Sequence, residues 1–195
     1  MKLQKKNLVM ENDHTKLIYQ FFNVLEPEFC DELIQIFDSS NKKIKRSHGG
    51  YPNFTEVNLN RYSKKISKQV KKIATEYYRS YCDSIYPLHN LYFESSVYEF
   101  ERVRIKRYLS NSDDRFDRHY DVGCINSSTR FLSFLFYLND DFTGGETVFY
   151  PNQVVTPIKG SVLIFPPYWM FPHSGEKVKD GTKYIMSTYL SWRYK

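Results

Sequence analysis

Within RFDRHYD, residues 115–121, an imidazole and a carboxylate stand two positions apart, as His119 and Asp121. Side chains alternate along an extended segment, so positions i and i+2 face the same way and both groups can reach one metal ion. The pair becomes a site only with a distant second His. His14 and His89 sit in polar, loop-like surroundings, and His48 in SHGG has the character of a turn residue. His173 differs, because it follows the apolar stretch VLIFPPYWMFP, a strand that delivers it to the end of a β-structure. Two His and one carboxylate on one face of an ion leave the other positions open, which suits non-haem iron and oxygen chemistry. Catalytic zinc accepts the same ligand types. Lys183 stands ten residues after His173, across the polar turn SGEKVKDGT, and GGET (144–147) lies between the two His. His173 alone reads as an ordinary surface or core histidine; its combination with Lys183 and GGET is much less expected by chance.

These residues need elements to hold them. KLIYQFF (16–22) reads as a strand. Pro27 can open a helix, where its missing N–H costs nothing, and Phe29, Leu33 and Phe37 then form one apolar stripe. A polar loop, KKIKRSHGGYPNFTEVN (42–58), follows, and then a helix at about 60–81 with Ile66, Val70, Ile73, Tyr77 and Tyr81 on one face. After residue 90 the period changes. SVYEFERVRIKRYL alternates as a strand does, RFLSFLFYLND is apolar enough for a buried strand, and ETVFY, QVVTPI, KGSVLIFPP and KYIMSTYLSWR add more. Gly144, Gly145 and Gly160 read as turn residues that need positive φ or close packing. Helices first and short strands afterwards predict one domain over 1–195. Its class is α+β, mainly β, with a helical flank (1–90) on a β-sandwich or barrel (91–195).

Composition sets outer bounds. The 17 Tyr and 15 Phe suit a pleated sheet. No apolar run approaches the roughly 20 residues of a membrane span, and the start has no apolar core of a signal peptide. Cys30, Cys82 and Cys124 are odd in number and widely spaced, so a reducing, cytoplasmic location is expected and the sequons NFT and NSS carry no weight. The net charge of +6 concentrates in 42–72, where ten Lys/Arg face one acid, Glu56. Such a run fits the solvated face of a helix or, less directly, a nucleic-acid contact.

The second half resembles the iron(II)- and 2-oxoglutarate-dependent dioxygenases, most closely their prolyl 4-hydroxylase branch. The matching pieces occur in family order: RYLSNSDDRFDRHYD (107–121), RFLSFLFYLNDDFTGGETVFYP (130–151), VTPIKGSVLIFPP (155–167) and HSGEKVKDGTKY (173–184). The resemblance implies a double-stranded β-helix, the jelly-roll or cupin-like core, with N-terminal supporting helices. It implies iron(II) held by His119, Asp121 and His173, and Lys183 paired with the distal carboxylate of 2-oxoglutarate, with Tyr108, Thr147 and Tyr137 as hydroxyl donors. Substrate contacts fall on Phe116, Arg130 and Tyr189, where relatives often carry Tyr at the first and Trp at the last, and Arg130 equally suits a structural ion pair. The loop 47–56 falls where family members carry a substrate-covering segment.

The implied reaction consumes O2, releases succinate and CO2, uses ascorbate, and hydroxylates proline in a peptide or protein. The same cofactors serve other side chains, free amino acids or nucleic-acid alkyl groups in relatives, and an inactive jelly roll used as a binding module is a further alternative. Intact ligands and Lys183 speak against the inactive module, and a zinc hydrolase has no need of a dicarboxylate pocket. No residue fixes an oligomeric state.

Overall fold

The computed structural model describes residues 14–47, 52–89 and 97–193. In chain order the strands are β1 (Tyr19–Phe21), β2 (Ile44–Arg46), β3 (Phe54–Asn58), β4 (Tyr98–Phe100), β5 (Arg104–Leu109), β6 (Phe116–His119) and β7 (Arg130–Tyr137). Then come β8 (Thr143–Gly144), β9 (Thr147–Phe149), β10 (Gln153–Val155), β11 (Val162–Phe165), β12 (His173–Gly175), β13 (Val178–Asp180) and β14 (Thr182–Trp192). The helices are α1 (Pro27–Ser39), α2 (Leu59–Tyr62) and α3 (Lys64–His89). The larger sheet runs β1-β11-β7-β14-β5-β3-β2, with β4 also on β14; the smaller runs β10-β9-β12-β6; β13 and β8 form a short ribbon. All pairings are antiparallel, and the two sheets form the jelly-roll core.

Alternation along the large sheet sorts its residues into two cores. On β14, Met186 and Leu190 pack with Leu33, Phe37, Val70 and Ala74 of the helices. Lys183, Ile185, Ser187 and Tyr189 point the other way, into the cavity between the sheets. On β7, Phe134 and Phe136 join the helix side while Ser133 and Leu135 face the cavity. Both faces are therefore covered, which is why these strands read as nearly unbroken apolar runs. α1 begins at Pro27 and buries Cys30, Leu33, Ile36 and Phe37, with Phe29 half-buried beside them. Arg61, Lys64, Lys65, Lys68 and Lys72 are exposed, the solvated face expected of the basic helix.

Several elements differ from their expected form. Residues 16–22 begin in a 3-10 turn, His14–Leu17, and only Tyr19–Phe21 pair with β11. The helix expected at 60–81 is two helices: Ser63 ends α2 with extended backbone, and its Oγ accepts from the Ile66 N–H at 3.2 Å, a cap that starts α3. Within the polar stretch 42–58, β2 and β3 make a hairpin on the sheet edge. Its charges pair with each other or with the core, as in Arg46–Glu56 at 2.6 Å and Lys45 with Asp114, so a charged sequence still makes a strand. Residues 48–51, including His48 and part of the expected lid loop, lie outside the described residues.

Candidate active site

β6 and β12 place the two imidazoles. His173 is paired directly with His119 across these strands, and Gly175 with Phe116. Two steps on β12 thus oppose three on β6, a bulge that turns Phe116 and His119 to the same side although they are three apart. The Phe116 ring stacks on His119 with centroids 3.6 Å apart. Asp121 departs from the expected strand alternation, because β6 ends at His119. Asp121 lies in a bend held by its own N–H and that of Val122, which both donate to Pro167 O at 3.1 Å. Nor is His173 carried by the preceding apolar strand: β11 stops at Phe165, and His173 opens a strand in the other sheet.

The ligand atoms of His119, Asp121 and His173 all lie within 4.8 Å of one another. His119 Nε2 is 3.5 Å from Asp121 Oδ1, and His173 Nε2 is 3.8 Å from Oδ2. Each Nδ1 lies against a backbone carbonyl: Asp117 O at 2.8 Å for His119 and Phe171 O at 3.0 Å for His173. A carbonyl only accepts, so Nδ1–H donates, and in the neutral rings both Nε2 lone pairs turn toward the carboxylate. Burial holds His173 at a pKa of about 4, against the pull of Asp121, so it is a neutral ligand at pH 7. Burial raises the Asp121 carboxyl, but the two imidazoles that face it and the hydroxyl of Tyr189 outweigh burial and hold it below the usual carboxylate range, so it is ionised at pH 7. Two imidazoles and one ionised carboxylate, converging with one side open, fit a divalent iron.

Arg130 and Tyr189 serve Asp121. Tyr189 is buried and donates to Asp121 Oδ1 at 2.8 Å. Arg130 grips Glu101 with two hydrogen bonds, 2.6 and 3.0 Å, donates to Asp121 O at 3.3 Å, and lies 3.9 Å over the Tyr189 ring. Both were expected at the substrate, with a structural ion pair the other reading of Arg130; Tyr189 does line the cavity, and the polar groups of both residues engage Asp121 or Glu101. Phe116 does face the cavity.

Behind the triad is a closed polar end. Lys183 and Tyr108 are directly opposed on β14 and β5. The Lys183 ammonium, 3% exposed, donates to Gly145 O at 2.5 Å and lies 5.5 and 5.6 Å from the Tyr108 and Tyr137 rings. Tyr137 OH and Thr147 Oγ1 are 2.8 Å apart and buried. Gly144 and Gly145 have φ of +74° and +69°, as the turn requires, and a Cβ on Gly145 would press Lys183 Cδ at 3.1 Å. Burial draws Lys183 down to about 7, with Glu146 opposing.

Two cavity residues escaped the sequence analysis. Lys106, 8% exposed, is two residues before Tyr108 on β5 and so shares its face; Ser187 follows Ile185 on β14 in the same way. Alternation along VRIKRY carried that signal. Burial draws Lys106 down to about 8, against the pull of Asp121 and Glu56.

Residues 103–191 match the 2OG-Fe(II) oxygenase superfamily. Procollagen-lysine,2-oxoglutarate 5-dioxygenase 1 of Mus musculus is 22% identical over 178 residues, 87% of this chain and 23% of that protein. This chain thus spans about a quarter of the first curated relatives. A putative prolyl 4-hydroxylase of Acanthamoeba polyphaga mimivirus is 26% identical over 203 residues, 88% of this chain and 72% of the other. Among solved structures, the viral collagen prolyl hydroxylase of Paramecium Bursaria Chlorella virus-1 in its 2OG complex superposes with a TM-score of 0.65 at 21% identity. That match covers 89% of this chain and 95% of that one, a likeness of fold.

Proposed function

We propose that this chain, whose residues 103–191 match the 2OG-Fe(II) oxygenase superfamily, is an iron(II)- and 2-oxoglutarate-dependent dioxygenase. In this reading it hydroxylates proline in a peptide or protein and releases succinate and CO2. The observation that carries the reading is one cavity holding both the His119–Asp121–His173 cluster and the Lys183 end. His119, Asp121 and His173 hold the metal, which when bound supplies the oxygen chemistry. Lys183, Thr147, Tyr137 and Tyr108 receive the distal carboxylate of 2-oxoglutarate. Phe149 and Phe165, packed around His173, keep water from that side. Ascorbate serves as reductant, and a reducing compartment suits Cys30, Cys82 and Cys124, all free thiols. Among the described residues no helix is long and apolar enough to cross a membrane.

The test incubates the protein with iron(II), 2-oxoglutarate, ascorbate and proline-containing peptides, and follows succinate together with a mass gain of one oxygen atom on the peptide. Binding of 2-oxoglutarate without oxidation of any proline peptide refutes the proline assignment. Hydroxylation of a lysine side chain is the second reading, favoured by the similarity to the procollagen-lysine enzyme; lysine peptides in the same assay decide between them.

A further inference from the structure

Lys106 is a buried cation that makes no ion pair among the described residues. Among the described residues its ammonium has no carboxylate within 4.0 Å and no hydrogen-bond acceptor; its neighbours are the rings of Phe54, at 5.0 Å, and Phe116, at 5.9 Å. The cross-strand neighbour Glu56 is held by Arg46 through two hydrogen bonds, 3.0 and 2.6 Å. Asp121 is committed to Tyr189 and lies against the two imidazoles. A buried ammonium over aromatic faces gains some stabilisation, but far less than the ion pair that burial ordinarily demands. Ser187 Oγ in the same cavity is likewise buried without a partner.

The charges show what is missing. A divalent metal, the Asp121 carboxylate and doubly ionised 2-oxoglutarate sum to one net negative charge, and Lys183 brings that sum to zero. Lys106 is then surplus by one positive charge. Position separates it from the cosubstrate's closed end. Lys106 is opposite Ile185, two residue pairs along the sheet from the Lys183–Tyr108 pair and on the same face. Toward the metal its ammonium is 5.9 Å from the Phe116 ring, which stacks on His119. The surplus charge therefore stands beside the reacting position and lines the cavity.

We propose that Lys106 is the counter-cation for a carboxylate borne by the substrate, on the oxidised residue or directly beside it, so that this enzyme selects acidic target sequences. The proposal rests on the hydroxylase reading of the cavity. It is tested by titrating the Mn(II)- and 2-oxoglutarate-loaded protein with matched proline peptides carrying Asp or Glu, or Asn or Gln, next to the proline. Wild type binds the acidic peptide about tenfold or more tightly than its amide partner, the worth of one charge-assisted contact. Lys106→Met removes that preference and leaves 2-oxoglutarate affinity unchanged; Lys106→Arg retains part of it and serves as the comparison if the Met variant does not fold. Equal binding of the two peptides by wild type, including none of either, overturns the assignment. So does a loss of 2-oxoglutarate affinity in Lys106→Met, which gives Lys106 to the cosubstrate. A separate arm with iron(II) follows oxidation. Acidic peptides that bind through Lys106 yet are never oxidised refute the hydroxylase reading and leave the carboxylate site standing.

Discussion

The two ends of the cavity solve opposite problems. At the closed end Lys183, Tyr137 and Thr147 already have partners: Lys183 has Gly145 O, and Tyr137 and Thr147 have each other. That end is preorganised, and a dicarboxylate entering it trades one set of contacts for a stronger one. The metal end is held from outside, through a chain from Glu101 to Arg130 and Tyr189 to Asp121, while Lys106 and Ser187 stay open beside it. A fixed cosubstrate permits a finished pocket; a variable substrate requires unfinished valences. The two ends should therefore respond separately to substitution.

The largest effect is expected from Asp121→Ala. It removes the only carboxylate of the triad, so iron(II) affinity falls by well over the about 100-fold that loss of an outer partner can cause, and turnover disappears. Equilibrium metal titration and a thermal melt check it: the melt should remain cooperative. Lys183→Met comes next. Taking one partner from a buried charge pair weakens 2-oxoglutarate binding by about two to three orders of magnitude, while iron(II) affinity stays at the wild-type level. If Lys183→Met also loses iron, the two ends are one unit and the contrast between them fails.

Tyr189→Phe is smaller and sharper. It deletes the hydrogen bond to Asp121 Oδ1 and keeps the ring under Arg130. Iron(II) binding should weaken about 10- to 100-fold with the pH dependence of 2-oxoglutarate binding unaltered. A variant that binds iron normally but discriminates peptides poorly would return Tyr189 to the substrate side, where the sequence resemblance put it.

That reassignment shows what a sequence makes legible. His119, Asp121, His173 and Lys183 could be read because their spacing is fixed by the chemistry they share. The strands of the larger sheet, including the one that carries Lys183, could be read because a two-faced buried sheet writes apolar runs such as RFLSFLFYL, whereas the short strand that carries His173 could not. Arg130 and Tyr189 could not be assigned, since a guanidinium and a phenol look the same whether they hold a peptide or hold Asp121 through Glu101, 29 residues away from Arg130. The bulge that brings Phe116 onto His119 breaks the very alternation used to predict the strand. The β2–β3 hairpin was hidden because β2 is an edge strand of charged residues, where ion pairs such as Arg46–Glu56 replace apolar contacts. Lys106 was readable in principle from its phase with Tyr108, but a lysine in a basic stretch draws no notice until its neighbours are known.

The smallest effect is a pH dependence confined to the closed end. Burial holds Lys183 at about 7 before the ligand arrives, and only its charged form pairs with the distal carboxylate, which stays ionised throughout this range. As pH rises through 7 the free protein loses that proton and must regain it on binding, so affinity falls. Between about pH 6.5 and pH 8 the Kd for 2-oxoglutarate should rise about tenfold, with uptake of one proton per ligand at the upper end. His173, at about 4, lies below this window and does not contribute. Lys183→Arg should flatten the profile, because a guanidinium stays charged. Calorimetry in two buffers of different ionisation enthalpy measures the proton directly. A flat wild-type profile would mean that Glu146 and Glu176, the carboxylates that favour the charged form, outweigh burial. The closed end would then carry its charge in advance, as Lys106 does at the open end, and the difference between them would reduce to who supplies the anion.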